Sequence, residues 1–370
     1  MLDPAMEKYA RLIVQHGLGG VAKGAIVKIN ASALAQPLVL ALYKELWLAG
    51  ANPYAHHGFD GVTNLEMEYA TDEQISFIFP TESVEIENIR ALINIAGGLN
   101  TRANTNLPPE KIFMLQKSRE EISRRMMERI NSKEVKWCIA QYPTDSAAQE
   151  ADMNRFAYER FVFEACLLDK PDPLAEWREI EKKQALLCTF LEGRKEFHIL
   201  AANTDLSVNC AGRKWVNCAG ENNLPDGEVF TTPLETSAQG RVSFSFPSNL
   251  MGRVLTGVWL EFQDGKIVDA GCDGDPTTLH KQLDLDEGAR RLGEFAFGTN
   301  YGIKRYTLNM LFDEKIGGTM HMAFGLAPGE TGGQNKSITH HDLLLDMREQ
   351  GEVWADDELI YKEGNFAVKL

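Results

Sequence analysis

Hydrophobic and polar positions follow two different textures along the chain. Up to about residue 193, short β-rich runs alternate with stretches of helical period. Residues 25–29 (AIVKI) read as a strand. Residues 36–49 follow as a helix, with Leu38, Leu42, Leu46 and Ala49 recurring on one side, Pro37 suited to its first turn and Gly50 placed to end it. Residues 91–96 (ALINIA), closed by Gly97-Gly98, and residues 137–140 are further strands. Between them, residues 108–132 read as one long charged helix with Ile112, Leu115, Ile122 and Met126 along one side. Helices are also expected over 149–168 and 174–191, the second stopped by Gly193. Such alternation implies an α/β layer around a mostly parallel sheet. From residue 197 the texture turns to β. Residues 242–246 (VSFSF) alternate, and residues 259–262 and 266–268 flank Asp264-Gly265, a two-residue hairpin signal. The expectation is two domains: an α/β domain over 1–193 and a β-rich α+β domain over 194–370, with no internal repeat and no Pro/Ser-rich linker between them.

Charge and composition narrow the function classes. With 38 Lys+Arg against 53 Asp+Glu, the formal net charge is −15, and no basic run offsets it. A nucleic acid or an anionic membrane surface would repel such a chain, so neither partner is expected. No segment has the roughly 18–20 uninterrupted apolar residues that span a bilayer. Residues 1–8 (MLDPAMEK) lack the basic-then-apolar layout of a secretory signal. The six cysteines (Cys138, Cys166, Cys188, Cys210, Cys218, Cys272) have no CxxC spacing. They are expected to be reduced thiols of a cytoplasmic protein.

Candidate chemistry concentrates in the C-terminal half. His340-His341-Asp342 lies between Ser337-Ile338-Thr339 and Leu343-Leu344-Leu345, a strand-like setting. On a strand, residues two apart point the same way, so His340 and Asp342 can reach one ion while His341 faces elsewhere; a surface hydrogen bond is the plainer alternative. His321 stands in Gly317-Gly318-Thr319-Met320-His321-Met322-Ala323-Phe324-Gly325, either a hydrogen-bonded core histidine or a ligand reached past flanking glycines. Glu228 (LPDGEVFT, 224–231) and Glu294 (LGEFAF, 292–297) sit in apolar company. A buried carboxylate needs a partner or an ion, and Arg290 or Arg291 is the available partner for Glu294.

Together and in this order, the segments resemble the aminopeptidase T and aminopeptidase S type metallopeptidases, the thermophilic metallo-aminopeptidase family. The resemblance runs from residues 7–14 (EKYARLIV) to the C-terminal strands. It is densest at 224–231, 286–290 (DEGAR), 292–297, 311–316 (LFDEKI) and 321–342. It implies that the C-terminal domain binds two divalent ions (Zn, Co, Mn or Mg) through Glu228, Glu294, His321, His340 and Asp342. It further implies hydrolytic release of the N-terminal amino acid from short peptides by a water activated between the ions, and a homodimer whose site faces an enclosed interior. Glu294, in preference to Glu228, is the residue expected to move the proton.

The sequence departs from the family pattern at one point. Such enzymes commonly carry a Tyr seven residues after the His of the H-x-A-x-G strand, and here that position is Pro328. A ring lacking a phenol can neither bind metal nor donate to an oxyanion, so Tyr301 and Tyr306 are candidates to replace it. One alternative keeps the fold and changes the reaction. Ring-cleaving dioxygenases acting on dihydroxypyridines resemble this family and use a single Fe(II), for which His321, His340 and Asp342 would form a two-His-one-carboxylate set. Retention of both Glu228 and Glu294 favours the two-ion hydrolase. A non-catalytic, metal-stabilised relative is the third possibility.

Overall fold

The computed structural model describes residues 2–368. The chain divides into two compact units, one reaching to Leu174 and including Gly220–Pro225, the other comprising Ala175–Ala219 and Asp226 onward. The texture change at Gly193 marks the end of helix Pro173–Glu192, which lies almost wholly within the second unit.

The first unit is built on a five-stranded sheet in the spatial order Asn52–Gly58, Ile26–Ser32, Ala91–Ala96, Lys136–Gln141, Asn223–Leu224. Every pairing is parallel, as the strand–helix alternation requires. The fifth strand comes from the 220–225 segment, which returns to this sheet from far along the chain.

Two expected helices are each broken in two. Residues 108–132 form Pro109–Ser118 and Glu120–Asn131, with Arg119 off helical geometry at φ −99°, ψ 6°. At the break Ser118 Oγ donates back to Leu115 O at 2.8 Å, a local bond that competes with the backbone ladder. The 149–168 stretch is divided between Asp145–Glu150, capped by Thr144, and Arg155–Ala165, whose Ala157 N donates to Asn154 Oδ1 at 3.0 Å.

Among the described residues the second unit contains two large antiparallel sheets and the small two-stranded ribbon Ser248–Leu250/Arg253–Leu255. One has eight strands, including the hairpin Trp259–Gln263/Lys266–Gly271, whose two turn residues Asp264 and Gly265 both have positive φ as a type I′ turn demands. The other has five strands, ordered His340–Asp346, Thr319–Gly325, Leu292–Gly298, Glu228–Thr231, Val216–Cys218. A single apolar core joins the sheets. The eight-stranded sheet gives it Phe197, Ile199, Leu206, Val242 and Leu260; the five-stranded sheet gives it Val229, Phe295, Phe297, Met320, Met322, Phe324, Leu343 and Leu345. Trp215 packs on Phe197, Phe295 and Phe297 with ring centroids 5.7–5.9 Å apart. Among the described residues, all six cysteines are free thiols.

Candidate metal centre

Strand parity puts the apolar side chains of the five-stranded sheet on one face and its chemistry on the other. Phe295 and Phe297, Met320 and Met322, and Leu343 and Leu345 face the core. Their alternates are Glu294 and Ala296, His321 and Ala323, and His340 and Asp342, with Glu228 beside Val229. Antiparallel register then sets the neighbours. Ala323 lies between Glu294 and Asp342, and Ala296 lies opposite His321. Two methyl groups thus lie across the ladder from three chemically active side chains, Glu294, Asp342 and His321. The register slips by one residue at Gly293, a β-bulge just before Glu294.

All five residues expected to bind metal come together. His321 Nε2 lies 3.1 Å from Glu228 Oε2 and 3.3 Å from Glu294 Oε1. His340 Nε2 lies 3.4 Å from Glu294 Oε2 and 3.5 Å from Asp342 Oδ2. Each imidazole nitrogen therefore faces two carboxylate oxygens, and Glu294 presents one oxygen to each histidine. The donor atoms of Glu228, Glu294 and His321 lie within 4.8 Å of one another, as do those of Glu294, His340 and Asp342.

The hydrogen bonding of His340 shows what such a site lacks. Its Nδ1 is 2.8 Å from Leu326 O, and because a carbonyl only accepts, Nδ1 carries the proton. In the neutral ring, Nε2 is then a lone pair aimed at two more acceptors. Only a proton or a cation makes that arrangement favourable. His321 Nδ1 and Asp342 Oδ1 are buried without a hydrogen-bond partner. Imidazole and carboxylate donors at this spacing suit borderline divalent ions, so the residues present fit the group.

In the absence of a cation, protons take its place. Burial disfavours the His340 imidazolium, but Asp342 and Glu294 outweigh it and raise its pKa to about 9. His321 is likewise raised well above the usual imidazole range against its burial, by Glu228 and Glu294. Burial opposes ionisation of Glu228 and Asp342. The Lys315 ammonium and His321 bring Glu228 down to about 2, and His340 brings Asp342 to about 2. Glu294 is raised, chiefly by burial.

The residues around this centre were not assigned roles from sequence. Lys315, fully buried, places its ammonium against Glu228 Oε1, 2.7 Å from Glu314 Oε1 and 3.6 Å from Asp226 Oδ1. Glu314 has an oxygen within 4.8 Å of donor atoms of His321 and Asp342, and burial raises its carboxyl to about 8. Both lie in the LFDEKI segment, where charged residues interrupt an apolar run; that interruption was the available signal. Gln184, on helix Pro173–Glu192, reaches Glu228 O at 2.9 Å, Cys218 O at 3.0 Å and Asn217 Oδ1 at 2.8 Å, and accepts from Thr299 Oγ1 at 3.0 Å. It ties the Glu228 strand to its neighbours.

Two expectations are corrected. Glu294 has no arginine partner: Arg290 pairs with Asp284 at 2.7 Å and Arg291 donates to Glu235 O at 2.7 Å. The phenols proposed to stand in at Pro328 are engaged elsewhere, Tyr301 donating to Gly364 O at 2.8 Å and Tyr306 to Pro247 O. Pro328 itself leads into the short 3₁₀ turn Gly329–Thr331, its carbonyl accepting from Thr331 Oγ1 at 2.7 Å.

Comparison with known proteins agrees with this architecture. Aminopeptidase T of Thermus aquaticus is 30% identical over 286 residues, spanning 68% of this chain and 69% of that protein. Aminopeptidase 2 of Geobacillus stearothermophilus is 27% identical over 413 aligned positions, spanning 100% of this chain and 99% of the relative. Among solved structures, wild-type AmpT from Thermus thermophilus shares the fold with a TM-score of 0.84 at 24% identity, covering 98% of this chain and 99% of that one. A 2,5-dihydroxypyridine dioxygenase from Pseudomonas putida KT2440 shares it more distantly, with a TM-score of 0.55 at 13% identity over 98% and 96% of the chains. The model of the thermophilic metalloprotease family (M29) matches residues 2–366. The chain belongs to the thermophilic metalloprotease (M29) family, whose members are metal-dependent peptide hydrolases.

Proposed function

We propose that this protein is an aminopeptidase that releases the N-terminal residue of short peptides, using two divalent ions. Glu228 and His321 would hold one ion, His340 and Asp342 the other, and Glu294 would serve both. The observation that carries this reading is the position of Glu294 in both donor triads, each of its oxygens turned to a different histidine. Charge supports the same count. Asp226, Glu228, Glu294, Glu314 and Asp342 bring five negative charges when ionised; two divalent ions and Lys315 would bring five positive ones and leave both imidazoles neutral. A single-iron dioxygenase would not need Glu228 and Glu294 as well as the two-His-one-carboxylate set. The names of the relatives, aminopeptidase T and aminopeptidase 2, support the peptide substrate. A homodimer in the cytoplasm is part of the proposal on resemblance alone.

Bound here, the ions would polarise the scissile carbonyl and lower the pKa of the attacking water. Proton transfer falls to Glu314 rather than Glu294, because Glu294 has both oxygens committed to the histidine pairs. Glu314 has one oxygen on Lys315 and a donor atom within reach of His321 and Asp342, so its carboxyl stands beside the centre. His340 is oriented by Leu326 O, and Glu228 is held from behind by Gln184 through its backbone.

The first test is release of free amino acid from unblocked di- and tripeptides supplied with Co²⁺, Zn²⁺ or Mn²⁺. Release should stop with chelator and should not occur from N-acetylated peptides. A folded protein that releases nothing with any of these ions is not an aminopeptidase. A second result is expected from proton competition. Ions must displace the protons held by His340, with its pKa about 9, and by His321, raised well above the usual imidazole range. Apparent metal affinity should therefore rise from pH 6.5 to pH 9, with proton release during calorimetric titration. An affinity independent of pH over that range would place the ions elsewhere.

A further inference from the structure

Lys315 is a cation built into a site that is also expected to receive cations, and its contacts define what it does there. Its segment follows the short helix Met310–Asp313, and its backbone is fixed by Asn300 N donating to Lys315 O at 2.9 Å and by the parallel bridge of Asn300 with Ile316. The ammonium, 1% exposed, takes hold of one oxygen of Glu228 and one of Glu314. The other Glu228 oxygen is the one 3.1 Å from His321 Nε2. Glu314 is close enough to His321 and Asp342 to become an ion ligand itself.

We infer that Lys315 is a positioning residue that restricts Glu228 to single-oxygen ligation and holds Glu314 beside the ions rather than on them. This inference rests on the two-ion peptidase reading. A carboxylate close to a divalent ion is normally drawn into its coordination shell, because ion–ligand attraction at short range exceeds that of a hydrogen bond. A carboxylate so captured cannot serve as a base. A fixed ammonium opposes capture in two ways: it occupies an oxygen, and its charge lowers the carboxylate's donor strength toward a second cation. Counter-charge alone would not require the lysine to reach both Glu228 and Glu314. Neutralising Asp226, its third partner at 3.6 Å, would do as well.

The consequence runs against the usual effect of damaging a metal site. In Lys315→Met, Glu228 and Glu314 become free to ligate, and a repelling charge is removed. Calorimetric titration of the metal-free protein with Mn²⁺ should show binding at least about tenfold tighter than in the wild type. The visible Co²⁺ absorption should weaken as the coordination number rises. At saturating metal, kcat should fall by on the order of a hundredfold, the typical contribution of a general base, with KM changed little. Adding Glu314→Gln to Lys315→Met should return Mn²⁺ affinity toward the wild-type value, closing a double-mutant cycle on the captured carboxylate. Lys315→Gln, which keeps hydrogen bonds and removes the charge, provides the same readouts should the methionine variant fail to fold. Unchanged or weaker Mn²⁺ binding with an unchanged Co²⁺ spectrum would overturn the inference and leave Lys315 a counter-charge only. Because affinity and spectrum need no turnover, that failure is distinct from a failure of the peptidase reading, in which the wild type itself releases no amino acid.

Discussion

Replacing Glu294 with alanine should reduce peptide hydrolysis by at least about a thousandfold in kcat/KM, a loss of roughly 4 kcal/mol of transition-state stabilisation. No other side chain in the centre has both oxygens turned to the two histidines, so the variant dismantles both triads at once. Metal content should fall with activity, from the two ions per chain proposed above to one or none. Glu294→Gln separates charge from packing, since it fills the same space and keeps one acceptor oxygen but cannot bridge as an anion. It should retain the fold and still fail to hold the ion pair. Elemental analysis of the dialysed protein together with near-ultraviolet circular dichroism reads both quantities. A variant that keeps two ions, or that turns over within tenfold of the wild type, would remove Glu294 from the bridging position.

Chelation should destabilise the protein substantially and in a pH-dependent way. An ion present at a thousand times its dissociation constant contributes about 4 kcal/mol to the folded state. For a unit of this size, each such ion corresponds to roughly 10 °C in melting temperature. The sign of the pH effect follows from the groups that hold protons when ions are absent. His340 is raised from 6.5 to about 9 and Glu314 from 4.5 to about 8. Their contribution to stability is complete below the unfolded values and is lost as pH rises through 8 and 9. The chelated protein should therefore weaken between pH 6.5 and pH 9. The ion-loaded protein, in which a cation would stand where the His340 proton was, should follow it much less. At the acid end, Glu228 and Asp342, both held near 2, contribute above their unfolded values of 4.5 and 3.8, and that contribution is lost as pH falls toward 2. Thermal melts at pH 6.5, 7.5 and 9 with and without chelator measure the gap, which should widen with pH. Coincident melting curves at every pH would mean that the folded state holds no ion.

Much of this architecture was legible in the sequence because it depends on period. Residues 91–96 form the expected strand to the residue, and Asp264-Gly265 makes the expected hairpin, since a two-residue turn with both φ positive leaves few alternatives. His340 and Asp342 share a face because a strand has period two, while His341 turns the other way, 2.7 Å from Ser248 Oγ. Other features depend on contacts between distant segments and escaped detection. Arg290 and Arg291 are neighbours of Glu294 in sequence, yet both turn away from it. Lys315 is 87 residues from Glu228, and no local pattern announces that they meet. Gln184 looks like any helical glutamine until its helix is laid beside the Glu228 strand. The breaks at Arg119 and before Asn154 coincide with single side-chain bonds that an otherwise continuous helical period does not reveal.

The bulge at Gly293 inverts the phase of its strand. Leu292 packs into the core opposite Phe324, and by strict alternation Glu294 would follow it there while Phe295 and Phe297 emerged among the histidines. The extra residue reverses that assignment, and it must be glycine, because a Cβ at 293 would lie 2.3 Å from Leu326 O and 2.4 Å from Gly325 O. Acidic chemistry at position 294 is thus inherited from the residue before it. Deleting this residue would exchange the inside and outside of the sheet's central strand without altering a single ligand, and would abolish catalysis through topology rather than through the chemistry of the site.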